Sequence, residues 1–257
     1  MAEIETAEDA HARASALIQE RRFREAVEPA GAACRLRPDW AEAWWDYGVT
    51  LKHAQRWADC LEACDRAISL DPEHSEGPRW NAGIAATALA DWGRARAAWA
   101  GFGVAVPPGD GPLEMAIGSA GVRIRPDDEP EVVLCKRIDP CRARIVSVPL
   151  PGSGHGRRHR APRWRPRGKR RVGEASITVF DELELLERSG YGTWQVAVTC
   201  RTPDERDACS HSTTTSMPRS RTGPTAWSSA ARGNGSIALT CCVMVRTLGA
   251  GDGVRST

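Results

Sequence analysis

The chain has 257 residues, room for two domains, and its net charge of +2 conceals unlike halves. Residues 1–150 carry 18 Lys/Arg against 24 Asp/Glu, and residues 151–257 carry 17 against 9. No apolar run approaches the ~18 residues of a membrane-spanning helix. The nine cysteines contain no CxxC pair, which excludes a zinc ribbon and gives no sign of a disulfide framework.

The opening "MAEIETAEDAHARA" is acidic and lacks the apolar centre of a secretory signal, so a cytoplasmic location is expected, with the cysteines reduced and mostly in the core. The next hundred residues repeat themselves. Phe23 and Trp57 stand 34 apart, and Trp57 and Trp92 stand 35 apart. Ala26, Cys60 and Ala95 hold the same register three residues on, and Pro38 and Pro72 are again 34 apart. Ala14, Gly48 and Gly83 form a further column of small residues, and Leu17, Leu51 and Ala86 another. The one extra residue falls in the turn-rich "DPEHSEGP" (71–78). A period of this length marks stacked helical hairpins, none of which can bury its apolar faces alone.

The pattern resembles the tetratricopeptide repeat, most closely over 41–72, where Trp44, Gly48, Leu51, Ala67 and Pro72 match the signature columns. Cys60 and Cys64 stand for the usual alanine and aromatic. Repeat one (about 7–38) is looser, with Ala10 for the first tryptophan and Pro29 and Gly31 inside its second helix; repeat three (about 76–106) lacks the closing proline. A tetratricopeptide domain over 7–106 is therefore expected. Its last repeat would leave Trp99 and Phe102 at an apolar edge. "GVAVPPGDGP" (103–112) is a linker, so the segment after it is expected to cover that edge.

In this family the first helices line a groove for a peptide or a partner's helix. The resemblance implies partner-binding positions at His11, Ser15, Trp45, Val49, Lys52, Trp80, Asn81 and Ile84. Trp45 and Val49 replace the lysine and asparagine of the carboxylate clamp found in some members. The groove is mostly apolar, which suits an apolar peptide or an amphipathic helix. A core role for Trp45 and Trp80 is the competing reading.

From Leu113 the pattern changes. "GVRIRP" (121–126), "EVVLCKRI" (131–138), "RIVSVPLP" (144–151), "ASITVFDELELLE" (175–187) and "GTWQVAVTCR" (192–201) read as short strands between turns. They make 113–208 a small β or α/β region, and the whole chain α+β. "RIDPCRARIVSVPLP" (137–151) resembles a segment of bacterial repeat proteins of this kind, a resemblance that implies no activity. "GHGRRHRAPRWRPRGKRR" (154–171) holds nine Lys/Arg, no acid and no periodicity, so 154–173 is expected as a basic loop. "TPDERDA" (202–208) is a well-formed helix start that no helix pattern follows. Residues 209–257 hold one acid among 49 residues and are expected to be disordered. Both the basic loop and this tail have the composition of out-of-frame translation of a GC-rich gene.

No catalytic residue is indicated, nor a cofactor. His155 and His159 have ligand spacing, but nothing completes a metal site. "FDELELLE" (180–187) reads as a solvated carboxylate face. "GSGHG" (152–156) lacks the lysine and helix of a phosphate loop. The expected role is a non-catalytic protein–protein adaptor. The alternative is a nucleic-acid-associated protein that uses the basic run with Trp164.

Overall fold

The computed structural model describes residues 6–125, 130–150, 153, 155, 160–172, 175–188, 191–200, 202, 204, 227–231 and 237–246. They fall into two compact units, one of residues 1–115 with Asp139–Cys141, the other of 116–138 with 142–257.

The first unit is three helical hairpins: α1 (Ala7–Gln19) with α2 (Phe23–Leu36), α3 (Ala41–His53) with α4 (Trp57–Leu70), and α5 (Glu76–Ala88) with α6 (Trp92–Gly101). Phe23, Trp57 and Trp92 each open the second helix of a hairpin, as the repeat spacing requires. Helix α1 starts on a capping box, with the Asp9 N–H donating to Thr6 Oγ1 at 3.1 Å and the Thr6 N–H to Asp9 Oδ2 at 3.2 Å. Helix α2 runs through Pro29 and Gly31 without ending.

The hairpin turns repeat in the backbone as well. Arg21, Gln55 and Ala90 have φ of 63°, 60° and 58°, at the same column of each repeat. In each turn the next N–H reaches back five residues: Arg22 to the Leu17 carbonyl, Arg56 to Leu51 and Asp91 to Ala86, all at 2.9 Å. This is the Schellman closure, here made without glycine.

Within each hairpin the helices meet at the small-residue column. A Cβ on Gly48 would stand 2.9 Å from Cys64 Sγ, and a Cβ on Gly83 would stand 2.7 Å from the Trp99 indole. Trp99 is thus not an edge residue, as the sequence suggested. It is fully buried between α5 and α6, its Nε1 donating to Thr87 Oγ1 at 3.3 Å, because Gly83 leaves room for the ring. Phe102 does remain 38% exposed. After α6 the linker is irregular, and Arg96 Nε donates to the Pro107 carbonyl at 3.2 Å.

In the second unit, β1 (Ser119–Ile124), β2 (Glu131–Arg137), β3 (Arg142–Ile145), β4 (Arg160–Val172) and β5 (Ala175–Glu182) close a barrel in that order. Neighbours are antiparallel except β1 and β5, which are parallel. Val122, Ile124, Val133, Cys135, Ala143 and Ile145 form its core. The third strand lies at 142–145, earlier than the 144–151 expected.

Residues 160–172, expected within a loop, are strand β4, held by backbone pairing to β3 and β5 rather than by any side-chain alternation. The stretch 180–187 is not uniformly solvated: Asp181 is 4% exposed and accepts from Arg123 Nε at 2.7 Å across the parallel pair. A second sheet, in the order β6-β8-β7, is formed by β6 (Tyr191–Cys200), β7 (Trp227–Ala231) and β8 (Ile237–Arg246). Two stretches of the tail expected to be irregular are therefore strands. In β8, "IALTCCVMVR" is rich enough in apolar and β-branched residues to pair along its length with β6. Residues 209–226, 232–236 and 247–257, which carry the rest of that expectation, lie outside the described residues, as do 205–208 of the expected helix start and His159.

Two substitutions test the packing. Gly83→Ala drives a Cβ into the Trp99 ring, and a destabilisation of about 1–3 kcal/mol is expected by chemical denaturation of the full chain. Ala90→Gly removes left-handed strain and is expected to stabilise by about 1 kcal/mol in the same assay.

Candidate functional site

The first helices of the three hairpins carry all eight positions implied as partner-binding. The structure separates them by burial. Trp45 is 37% exposed, and His11, Ser15, Val49 and Trp80 are half-buried. Lys52, Asn81 and Ile84 are buried, at 2%, 3% and 0% exposure, and so are closed to a partner in this structure.

Between repeats one and two the surface is polar. The Asp46 carboxylate accepts from Ser15 Oγ at 3.2 Å and lies 3.1 Å from His11 Nε2. Burial pushes the Asp46 carboxyl above its ordinary range, against the pull of His11 and Ser15. The His11 ring rests 4.3 Å from that of Trp40, over which the Arg37 guanidinium sits at 3.7 Å. Arg37 Nη1 also donates to Glu8 Oε1 at 2.6 Å. Between repeats two and three, Lys52 Nζ donates to Asn81 Oδ1 at 2.7 Å. Burying an ammonium is costly unless such partners satisfy it.

Trp45 faces an open pocket of ≈ 200 Å³ where α3, α4 and α5 converge. Glu42, Asp71 and His74 contribute its polar wall, and Ala41, Ala67 and Pro78 its apolar floor. The Trp45 indole lies against the backbone of Gly77, where an added Cβ would stand 2.6 Å from the ring. His74 donates its backbone N–H to Asp71 Oδ1 at 3.1 Å, and this bond holds the Asp71 carboxyl below its ordinary range. Trp80 packs edge-on to Trp99 at 5.1 Å and against Phe102 at 4.9 Å, so it belongs half to the third hairpin's interior.

Glu42, Asp46, Asp71, His74 and Gly77 were not among the expected site residues. Asp46 had a signal, as a lone acid in the apolar "AWWDYGV". Gly77 read only as a turn residue, although it lies in the first turn of α5.

Residues 41–74 match the family model of the tetratricopeptide repeat. The helical unit is a tetratricopeptide repeat stack. Solved structures with similar folds include YrrB, a tetratricopeptide protein with an unusual peptide-binding site, at 17% identity and TM-score 0.36, covering 38% of this chain and 50% of that one. The second tetratricopeptide domain of Spaghetti (RPAP3), bound to the HSP90 peptide SRMEEVD, matches at 17% identity and TM-score 0.36, covering 38% and 90%. MamA matches at 20% identity and TM-score 0.33, covering 38% and 55%. The chain spans about half the length of YrrB and MamA. At these scores the likenesses add nothing to the hairpin geometry. No curated protein matches the chain by sequence.

Elsewhere, His155 Nε2 lies 2.8 Å from Glu182 Oε1, and that hydrogen bond raises the imidazole's pKa. Among the described residues no group of three His, Cys, Asp or Glu is placed to hold a metal, and no helix is long and apolar enough to cross a membrane. On β4, residues 168–171 are exposed, and Arg170 Nη1 donates to the Val132 carbonyl at 3.2 Å.

At the end of α3 in the tetratricopeptide stack, the His53 ring stacks on Phe23 at 3.7 Å and 10°. Burial, with the Lys52 charge beside it, lowers the His53 pKa to about 3. The folded chain therefore holds His53 neutral where the unfolded chain begins to protonate it, near pH 6.5. Stability conferred by this site is complete above pH 6.5 and is lost as pH falls toward 3. Denaturation midpoints of the full chain measured across that window are expected to fall with pH, and less steeply in His53→Gln.

Proposed function

We propose that the tetratricopeptide stack is a non-catalytic protein-binding module that takes an apolar peptide or an amphipathic helix of a partner on its first-helix face. The observation that carries this reading is Trp45. A large aromatic side chain, 37% exposed, faces a pocket on the first helix of the central repeat, with half-buried Val49 one helical turn along. Tryptophan in such a position offers much contact area at little conformational cost, which is why it dominates the energetics of many interfaces. Trp80 and Phe102 extend the apolar surface onto the third repeat. The carboxylate clamp is absent here, since Trp45 and Val49 occupy its central lysine and asparagine positions.

Selection of short random peptides displayed on phage against the full-length chain tests the reading. The expected outcome is enrichment of sequences with apolar residues at i, i+3 or i+4, and i+7. Their binding is expected to weaken by about thirtyfold in Trp45→Ala, a hot-spot loss of ~2 kcal/mol, at an unchanged denaturation midpoint. Absence of enrichment, or binding indifferent to Trp45, contradicts it.

A further inference from the structure

The pocket beside Trp45 has a chemical preference of its own. Its lining includes two carboxylates, Glu42 and Asp71, one imidazole, His74, whose Nδ1 lies 3.1 Å from Asp71 Oδ1, and neither Lys nor Arg. Glu42 is exposed and forms no hydrogen bond or ion pair among the described residues. Asp71 stays ionised, since the His74 N–H holds its carboxyl below the ordinary range. The Trp45 indole is fixed in place, because Gly77 is the one residue type whose Cα lets the ring lie so close. An aromatic ring beside carboxylates, with no Lys or Arg in the lining, attracts a cation through the ring quadrupole and through Coulomb forces together.

Each alternative occupant fits less well. An aliphatic side chain would cover Glu42 while giving it no donor, and removing a carboxylate from water without one is costly. An anionic side chain or a terminal carboxylate would meet two like charges. A guanidinium or ammonium satisfies both the ring and the carboxylates, while its methylene stem lies along Ala41, Ala67 and Pro78.

We propose that this pocket receives a basic side chain, arginine or lysine, from the partner segment. It is a specificity subsite that reverses the charge preference of a carboxylate clamp. The proposal rests on the peptide-binding reading of the stack and adds the charge of one partner residue.

The test is calorimetric titration of the full chain with capped alanine–leucine helical peptides that differ at one position: arginine, lysine, citrulline or glutamate. Citrulline keeps the shape of arginine and removes its charge. Arginine and lysine peptides are expected to bind tighter than the citrulline peptide by about 3- to 30-fold, and the glutamate peptide weakest. The advantage is expected to shrink in Glu42→Gln, to vanish in Trp45→Leu, and to fall in Gly77→Ala, which shifts the indole and removes no pocket atom. Glu42→Gln, at an exposed position, keeps the test decisive if Trp45→Leu does not fold. Equal binding of arginine and citrulline peptides overturns the proposal and leaves the peptide-binding reading standing. An arginine preference undiminished in Glu42→Gln and Gly77→Ala overturns it as well. If none of the peptides binds, both fall.

Discussion

The helical unit depends on how closely two antiparallel helices approach within each hairpin. That approach is set by a pair of facing columns whose sizes trade against one another. In repeat two Gly48 faces Cys64, and in repeat three Gly83 faces Trp99. In repeat one the equivalent residues, Ala14 and Ala30, are both small and both buried. Where one side has no Cβ, the other fills the space with a thiol or a whole indole. Interiors pack at near-crystalline density, so neither column can change alone without a void or a clash. Cys60 adds a polar tie at the same level, its Sγ donating to the Gly48 carbonyl at 3.2 Å. A hydrogen bond with the Cys60 side chain, together with burial, raises the Cys64 thiol well above its ordinary pKa, so Cys64 serves as packing and not as a nucleophile.

Once the hairpins are closed, the same register decides which side chains face outward. Each first helix presents one residue in the column of His11, Trp45 and Trp80, and the three have different fates. His11 is drawn to Asp46, Trp80 leans on Trp99, and Trp45 alone keeps more than a third of its surface open. The stack is regular in backbone, and chemically graded from a polar first junction to an aromatic third repeat.

Much of this was legible in the letters. The 34- and 35-residue spacings of Phe23, Trp57 and Trp92 place the starts of α2, α4 and α6, since a repeat period is a geometric period. Burial of Lys52, Asn81 and Ile84 was not legible, because membership of a helix face says nothing of what covers it. Nor were the left-handed turns at Arg21, Gln55 and Ala90: three unrelated residue types adopt one strained conformation because the closing hydrogen bonds demand it. Strand β4 was hidden for a similar reason. Its arginines and prolines deny any alternation, and its pairing is made by the backbone. The pocket at Trp45 needed Gly77, a residue whose role is the absence of a side chain.

The proposed function makes Trp45 the contact point of the stack, while Trp99 is packed inside the third hairpin. Fluorine NMR of the full chain labelled with 5-fluorotryptophan tests this most directly, with each resonance assigned by a Trp→Phe substitution. On addition of a selected peptide, the Trp45 signal is predicted to shift and the Trp99 signal to stay. A bound state in which Trp99 moves and Trp45 does not would overturn that role for Trp45.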